Sequence, residues 1–272
     1  MTHATRAAHQ SAAQECDLSY RRAMRTLGED IVLLAIQQDG KLAAHAKLRY
    51  AVAGSELVRL AAARRVDVVK GRIVVLDASP TGDPLLDAAL ASMARSRRAP
   101  HAKSWVSNSR ISPEAYLEGL ARGGVVRKEL HKALKLFPTT RWSVVDLARY
   151  SAARSRLDAV ALSQDPVDSA QAALGGLVHA VELDQQLYPG KEGHAARDRL
   201  KRIARRDPSV RSVEAAVRNA SHDAGDAASD AATHAAVRAS VDAAVHASID
   251  AAHHAASDAG HHGGGGGGGG HH

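Results

Sequence analysis

The chain has 272 residues, of which 45% are hydrophobic, 24% are charged and only 3% are aromatic, which is enough for one or two compact domains with an aliphatic core. The single cysteine, Cys16, excludes an internal disulfide framework and a cysteine-rich zinc site. No apolar run is long enough to cross a bilayer, and residues 1–14 lack the apolar segment of a secretory signal.

The net charge of +7 is divided unevenly along the chain. Residues 222–272 contain six Asp and one Arg, a net −5, so the residues before them carry +12. A body this basic predicts an anionic partner, which is either nucleic acid or an anionic membrane surface. A basic protein with no such partner is the alternative. We expect a cytoplasmic protein, held peripherally on the cytoplasmic face of a membrane if its partner is lipid.

Residues 1–27 are polar and rich in Ala, and we expect them to form a flexible arm. Helical spacing of apolar residues follows, broken at Gly54, where Ser55 can cap a new helix. The predicted helices of this part cover residues 28–36, 42–52 and 56–64.

Two short β-branched runs, 66–69 and 72–76, flank the pair Lys70-Gly71 and predict a β-hairpin. A helix followed by such a hairpin is the outline of a winged helix. The segment Pro80-Thr-Gly-Asp-Pro-Leu-Leu-Asp-Ala-Ala-Leu90 then predicts a helix start. Asp83 caps the free N–H groups, and Pro84 takes the first helical position, where no N–H is needed. This helix stands between two similar halves.

The second half repeats the outline, with a helix over 114–122 that ends at Gly123-Gly124 and a hairpin of residues 125–129 and 133–138, closed by 139–142. Further helices are predicted at 144–162, 169–187, 191–206 and 210–219. The predicted fold class is therefore mainly α, a compact helical core with short β-hairpins in winged-helix-like halves.

Residues 222–272 form a low-complexity tail of Ala, Asp, His and Gly. Asp and His recur four residues apart, as in Asp242 and His246, a spacing that supports a helix when His is charged. We favour a solvated, disordered or weakly helical tail over a metal-binding or pH-sensing one. The expected domains are the arm, a core domain over 28–221, and this tail.

No catalytic pattern is present: there is no glycine-rich phosphate loop, no His-Glu-x-x-His and no Cys/His dyad. We therefore expect a protein that is not an enzyme and has no cofactor or metal. Basic residues cluster near the first hairpin and also on and after the helix that starts at Asp83. Such clusters hold phosphates of DNA or of lipid headgroups. The helix over 56–64 offers mainly Glu56 and Arg59 for base readout and is otherwise apolar, which argues against a protein that reads DNA. A winged-helix nucleic-acid-binding protein remains the alternative.

These motifs in order resemble the Golgi phosphoprotein 3 family, most closely its bacterial members. The resemblance runs from about residue 28 to residue 219. The segments that carry it are Glu29-Asp-Ile-Val-Leu-Leu-Ala-Ile36, Gly54-Ser-Glu-Leu-Val-Arg-Leu-Ala-Ala-Ala-Arg-Arg-Val-Asp-Val68, the segment 80–90 above, Gly124-Val-Val126 and Leu136-Phe-Pro-Thr-Thr-Arg-Trp142.

The resemblance implies a mainly α-helical fold with a protruding β-hairpin, and a non-enzymatic peripheral membrane protein. Eukaryotic members of the family bind phosphatidylinositol 4-phosphate on the cytosolic face of the Golgi and retain glycosyltransferases there, which implies an adaptor with membrane-associated protein partners. The family's hairpin contributes to self-association. Here it implies a homo-oligomer through Leu136, Phe137, Arg141 and Trp142.

The family's lipid pocket uses a Trp, an Arg just before a glycine, and two further Arg three residues apart. In an ungapped comparison, the Trp position falls on Ala44, the first Arg on Ala53, and the pair on Arg110 and Pro113. Of these, Arg110 keeps its type. Lys47 and Arg49 lie near the same face and can compensate. The resemblance therefore implies a headgroup site of Arg110, Lys47 and Arg49.

Overall fold

The computed structural model describes residues 22–133, 137–163, 165–206, 210–224 and 226; within these, the side chains of residues 132–133 and 137–138 are not described. The described chain is mainly helical with two small antiparallel hairpins, which confirms the predicted fold class. The helices are α1 (Leu27–Leu34), α2 (His45–Ala62), α3 (Pro84–Ala94), α4 (Ala102–Asn108), α5 (Pro113–Arg122), α6 (Leu147–Leu162), α7 (Ser169–Ala180), α8 (Asp184–Leu187), α9 (His194–Arg206) and α10 (210–224).

Helix α1 lies at the centre of the fold and packs against α2, α5, α6 and α7. A helical turn at residues 22–25 precedes it, and Met24 in that turn is buried. Asp30, which the sequence marks only as a helix-start residue, is buried and accepts hydrogen bonds from Arg156 at 2.7 and 2.9 Å. Arg149 reaches the same carboxylate at 2.7 Å. These two ion pairs fasten α1 to α6.

Helix α2 runs without a break, so the predicted division at Gly54 is wrong. Gly54 is there because α10 and α7 pack closely on this side of the helix: a Cβ at residue 54 would meet the side chains of Val217 and Leu177. Ser55 is buried and does not cap a helix; its hydroxyl donates to the Val52 carbonyl at 2.7 Å. The glycine thus reflects close packing of helices and not a helix end.

The first hairpin agrees with its prediction. Strands β1 (Val66–Val69) and β2 (Arg72–Val75) pair antiparallel, with Val66 opposite Val75 and Val69 opposite Arg72. Lys70 and Gly71 both have positive φ, the geometry of a tight two-residue turn that matches the twist of the strands. Helix α3 follows as predicted, because the Asp83 carboxylate accepts hydrogen bonds from the N–H groups of Leu85 and Leu86.

The second hairpin is longer than predicted and has another register. Strands β3 (Val126–Ala133) and β4 (Phe137–Val144) pair antiparallel from Val126 opposite Val144 to Ala133 opposite Phe137. Residues 130–132, predicted as the turn, and residues 139–142, predicted as the closing segment, are strand instead. The alternation of polar and apolar residues over the ladder is weak, so the sequence pattern does not define the register of these strands.

The C-terminal helices differ from the prediction at one point. The predicted helix 169–187 is two helices, α7 and α8, separated at residues 181–183, where Glu182 has φ of 61° and ends the first one. Helix α9 packs on α7 and α6, and Leu200 and Val160 lie so close to Gly175 that a Cβ there would be 2.9 and 3.0 Å from them. The predicted last helix is confirmed as α10.

By its internal contacts the chain divides into residues 1–222 and 223–272. The predicted arm up to residue 21, Leu136, and nearly all of the predicted tail lie outside the described residues.

Candidate functional site

Helix α2 begins without the groups that commonly stabilise a helix start. Ala44, the residue before the helix, has a left-handed backbone with φ of 49° and offers no side-chain cap. The first turn holds no acidic residue and instead contains His45 and Lys47. The positive end of the helix dipole and the ammonium of Lys47 both favour an anion at this end. One carboxylate, that of Glu114, lies 3.8 Å from His45 Nε2.

Arg49 lies one turn further along α2 and is exposed. Its Nη2 donates to the carbonyl of Ser107 at 2.6 Å, and its Cζ lies 4.9 Å from the centre of the Tyr50 ring. Both contacts hold the guanidinium beside the end of α4. Arg110 follows Ser107 by three residues and is also exposed. The structure therefore brings Arg49 next to the loop that carries Arg110.

Lys47 is placed differently from Arg49. Two residues correspond to about 200° around an α-helix, so the two side chains leave α2 on different sides. The ammonium of Lys47 forms an ion pair with Glu182 at 2.8 Å, and Glu182 also lies 4.0 Å from His222. Of the three residues of the expected headgroup site, Arg49 and Arg110 lie near the end of α4, and Lys47 is neutralised by an acidic partner.

The middle of α2 contains a buried charge network that the sequence did not reveal. Arg59 donates to both oxygens of Glu56 at 3.2 Å and to Asp83 Oδ2 at 2.5 Å. Glu56 is fully buried, and this burial raises its pKa to about 7 against the lowering effect of Arg59. The i,i+3 spacing of Glu56 and Arg59 is the one signal that could have indicated the pair. Neither side chain is free to read a base edge.

The base of the second hairpin is anchored to the turn after α1. Arg141 donates to the carbonyl and the carboxylate of Asp39, each at 3.1 Å. Lys41 and Arg141 lower the pKa of Asp39 to about 2, with hydrogen bonds from Lys41 as the largest cause. The N–H of Trp142 donates to the carbonyl of Gly40 at 2.9 Å, and the indole is buried.

Two of the four residues expected to drive self-association, Arg141 and Trp142, therefore have partners within the chain. Phe137 belongs to β4, but its side chain is not described, and Leu136 lies outside the described residues. The large apolar side chain that the described part of this hairpin exposes most is that of Leu130, 73% accessible on β3.

An open cavity of about 870 Å³ lies beside Glu182. Its lining is polar and of mixed charge, and His179 within it makes a 2.7 Å contact from Nδ1 to the buried carboxylate of Asp184. Basic side chains of α9, among them Arg197 and Lys201, line the cavity together with acidic ones such as Asp198, so it has no single charge preference.

The family model of Golgi phosphoprotein 3 (GPP34) matches residues 27–224. The chain belongs to the Golgi phosphoprotein 3 family. This match extends from the start of α1 to the end of α10 and includes both hairpins and the start of α2. A search of curated proteins found no match.

Within the Golgi phosphoprotein 3 domain, the two positions that correspond to the family's pocket Trp and first Arg differ in their surroundings. Ala44 is partly exposed at the start of α2, where it can touch a ligand through its backbone and methyl group. Ala53 is completely buried among the helices.

No helix within the described ranges is long and apolar enough to cross a membrane. The same part of the Golgi phosphoprotein 3 domain contains no group of His, Cys, Asp and Glu arranged to hold a metal ion.

Proposed function

We propose that this chain is a non-enzymatic peripheral membrane protein that binds anionic phospholipid at the start of α2. The observation that carries the proposal is the uncapped first turn of α2, which contains His45 and Lys47 and no acidic residue, with Arg49 held beside the loop of Arg110. Lipid phosphate supplies negative charge at the positive end of the helix, in competition with the carboxylates of Glu114 and Glu182. Family membership and the net charge of +12 before the tail support the same ligand class.

Within anionic lipids, the family resemblance favours phosphatidylinositol 4-phosphate, whose second phosphate offers more acceptors to Arg49 and Arg110. The resemblance also supports an adaptor role on the cytoplasmic face of a membrane, that of the Golgi by family membership. Lys47 joins the site only when its ion pair with Glu182 opens.

Flotation on vesicles tests this proposal. The protein is mixed at low salt with phosphatidylcholine vesicles alone, or with added phosphatidylserine or phosphatidylinositol 4-phosphate. We expect flotation with both anionic compositions. Arg110→Gln should weaken it about fivefold, since one basic residue near an anionic surface contributes about that factor. Arg202→Gln is the matched control, because Arg202 is an exposed arginine on α9. Equal flotation with and without anionic lipid would reject the proposal.

Self-association through the second hairpin is a separate proposal, favoured by the exposed side chain of Leu130. Leu130→Ser should lower the mass measured by light scattering. Leu162→Ser, at a 62% exposed leucine on α6, should leave the mass unchanged. A mass that both variants share with the unmodified protein would contradict this role of the hairpin.

A nucleic-acid-binding function receives less support, because Glu56 and Arg59 are buried in their mutual network. A complex with duplex DNA in a gel shift, with affinity that falls steeply as salt rises, would revive it.

A further inference from the structure

The first hairpin has one face on the protein core and one in solvent. Ile73 points inward and is buried, whereas Val69 and Val74 lie on the outward face, 47% and 38% exposed. Leu76, directly after β2, is 59% exposed. Three aliphatic side chains are thus exposed to water along the outward side of one small hairpin. An exposed apolar group of this kind, bordered by charged residues, is typical of an interaction surface.

The border of this apolar group is basic. Residues 95–101 run beside the hairpin, since the N–H of Ile73 donates to the Pro100 carbonyl and that of Ala102 to the Gly71 carbonyl. Arg72, on the outward face, donates to the Ala99 carbonyl at 2.9 Å. The exposed cations of the turn and of this segment are Lys70, Arg95, Arg97 and Arg98. The outward face itself contains one acidic residue, Asp67, opposite Val74.

This hairpin is joined to the proposed lipid site by helix α4. His101, just before α4, bridges to Arg72 of β2, and Ser107 near its end accepts from Arg49. Seven helical residues span about 10 Å, so the two regions lie at opposite ends of one short helix. Lys103 and Ser104 of that helix are exposed between them.

We propose that the outward face of β1–β2 and residues 95–101 form a second contact with an anionic membrane, in addition to the headgroup site at α2. Val69, Val74 and Leu76 enter the boundary between headgroups and acyl chains, and the arginines of the segment bind lipid phosphates. This inference rests on the proposed function, because it places a further part of the same protein on the same surface.

A bilayer fits this surface better than a nucleic acid does. The outward face presents Asp67, Val69, Arg72 and Val74, so it offers no aromatic ring on which bases stack and no amide that reads a base edge. Aliphatic side chains beside phosphate-binding arginines instead match a layer of phosphates over hydrocarbon.

A fluorophore placed on the hairpin tests the contact directly. In a Cys16→Ser background, Val69→Cys is labelled with a nitrobenzoxadiazole dye and mixed with phosphatidylcholine vesicles with and without phosphatidylserine. The dye brightens and its emission shifts to shorter wavelength when it leaves water. We expect both changes at residue 69 with anionic vesicles only. Leu162→Cys is the matched control, an exposed apolar position on α6 where the emission should stay constant.

A charge variant tests the basic border. Arg97→Gln together with Arg98→Gln should weaken vesicle binding about fivefold for each charge removed at low salt. Arg202→Gln together with Arg206→Gln removes the same charge from exposed positions of α9 and should have a smaller effect. Equal weakening by both pairs would mean that net charge alone matters, and it would overturn the role of residues 95–101.

The outcomes separate this inference from the proposed function. Vesicle binding that persists without any change in the residue 69 signal would overturn the hairpin contact and leave the α2 site standing. Absence of binding to every vesicle would reject both. A change of the residue 69 signal with duplex DNA but not with vesicles would overturn the membrane contact in favour of nucleic acid.

Discussion

Arg59 of α2 and Asp83, the residue that caps α3, form an ion pair with 2.5 Å between Nη2 and Oδ2. The same Asp83 carboxylate accepts hydrogen bonds from the first N–H groups of α3 through its other oxygen. One side chain therefore ends a loop, starts a helix and compensates a buried guanidinium. The segment 80–90, which the sequence marks as a well-formed helix start, therefore also contributes Asp83 to the charge network of α2.

Replacement of Asp83 separates these roles. Asp83→Ala removes the cap and leaves Arg59 with Glu56 as its remaining acidic partner, so we expect a loss of roughly 3–5 kcal/mol in the free energy of unfolding. Asp83→Asn keeps the cap and a hydrogen bond, so its loss should be about 1–2 kcal/mol. Urea unfolding monitored by circular dichroism measures both. Equal losses would show that the cap contributes little beyond the charge of Asp83.

Glu56 should make stability depend on pH. Its pKa of about 7 in the folded chain exceeds the ordinary value of 4.5, because burial disfavours the charged form. The folded state therefore holds a proton that the unfolded state releases between these values. The contribution of Glu56 is greatest below pH 4.5 and falls, by on the order of 3 kcal/mol, as the pH rises through 7.

The variant Glu56→Gln isolates the pH-dependent contribution of Glu56 to the free energy of unfolding. The difference in the free energy of unfolding between the unmodified chain and Glu56→Gln, measured in urea at several pH values, should decrease as the pH rises from 5 to 8. A difference that stays constant over this range would mean that Glu56 is ionised in the folded protein at both ends.

Gly54 should not tolerate a methyl group. In Gly54→Ala the new Cβ would meet Val217 and lie 2.9 Å from Leu177, so we expect a loss of about 1–3 kcal/mol from overpacking. Gly119→Ala on α5 is the control, because its Cβ would be 3.8 Å from the nearest atom, the flexible end of Arg122. That variant should gain about 0.4–1 kcal/mol. Thermal melting of the pair measures the contrast; a stabilising Gly54→Ala would contradict the packing of α10 on α2.

Glu182 should restrain lipid binding. In Glu182→Gln the ammonium of Lys47 loses its acidic partner at 2.8 Å and becomes available to phosphate. If the α2 start is the lipid site, affinity for anionic vesicles should rise about fivefold at low salt. Glu192→Gln removes an exposed acidic residue before α9 and controls for net charge. An identical gain in the two variants would show that Lys47 does not take part.

Much of the architecture can be predicted from the sequence, because the residues that determine it lie close together in the chain. The Lys70-Gly71 turn and the Asp83-Pro84 helix start each depend on neighbouring residues whose backbone preferences act over a few positions. The sequence does not define the register of the second hairpin, because its strands carry few alternating apolar residues. It also gives no sign of the break between α7 and α8, because Glu182 is not a residue type that commonly adopts positive φ.

Only part of the candidate site can be predicted from the sequence. The sequence pointed to Lys47, Arg49 and Arg110 as basic residues, but their partners are Glu182 and Ser107, 135 and 58 positions away from Lys47 and Arg49 respectively. A charge is visible in a sequence, whereas its neutralisation depends on which distant residue the fold brings near it.

By itself, the sequence determined the helical core, the first hairpin, the start of α3 and membership of the family, since these follow from short-range backbone preferences and from an ordered set of motifs. Only the tertiary structure decided that Gly54 lies inside a continuous helix, that Glu56, Arg59 and Asp83 form one buried network, and that Lys47 and Arg49 point to different partners. The physical reason is that burial and ion pairing arise between helices far apart in the chain, and solvent exclusion there sets which charges remain free to bind.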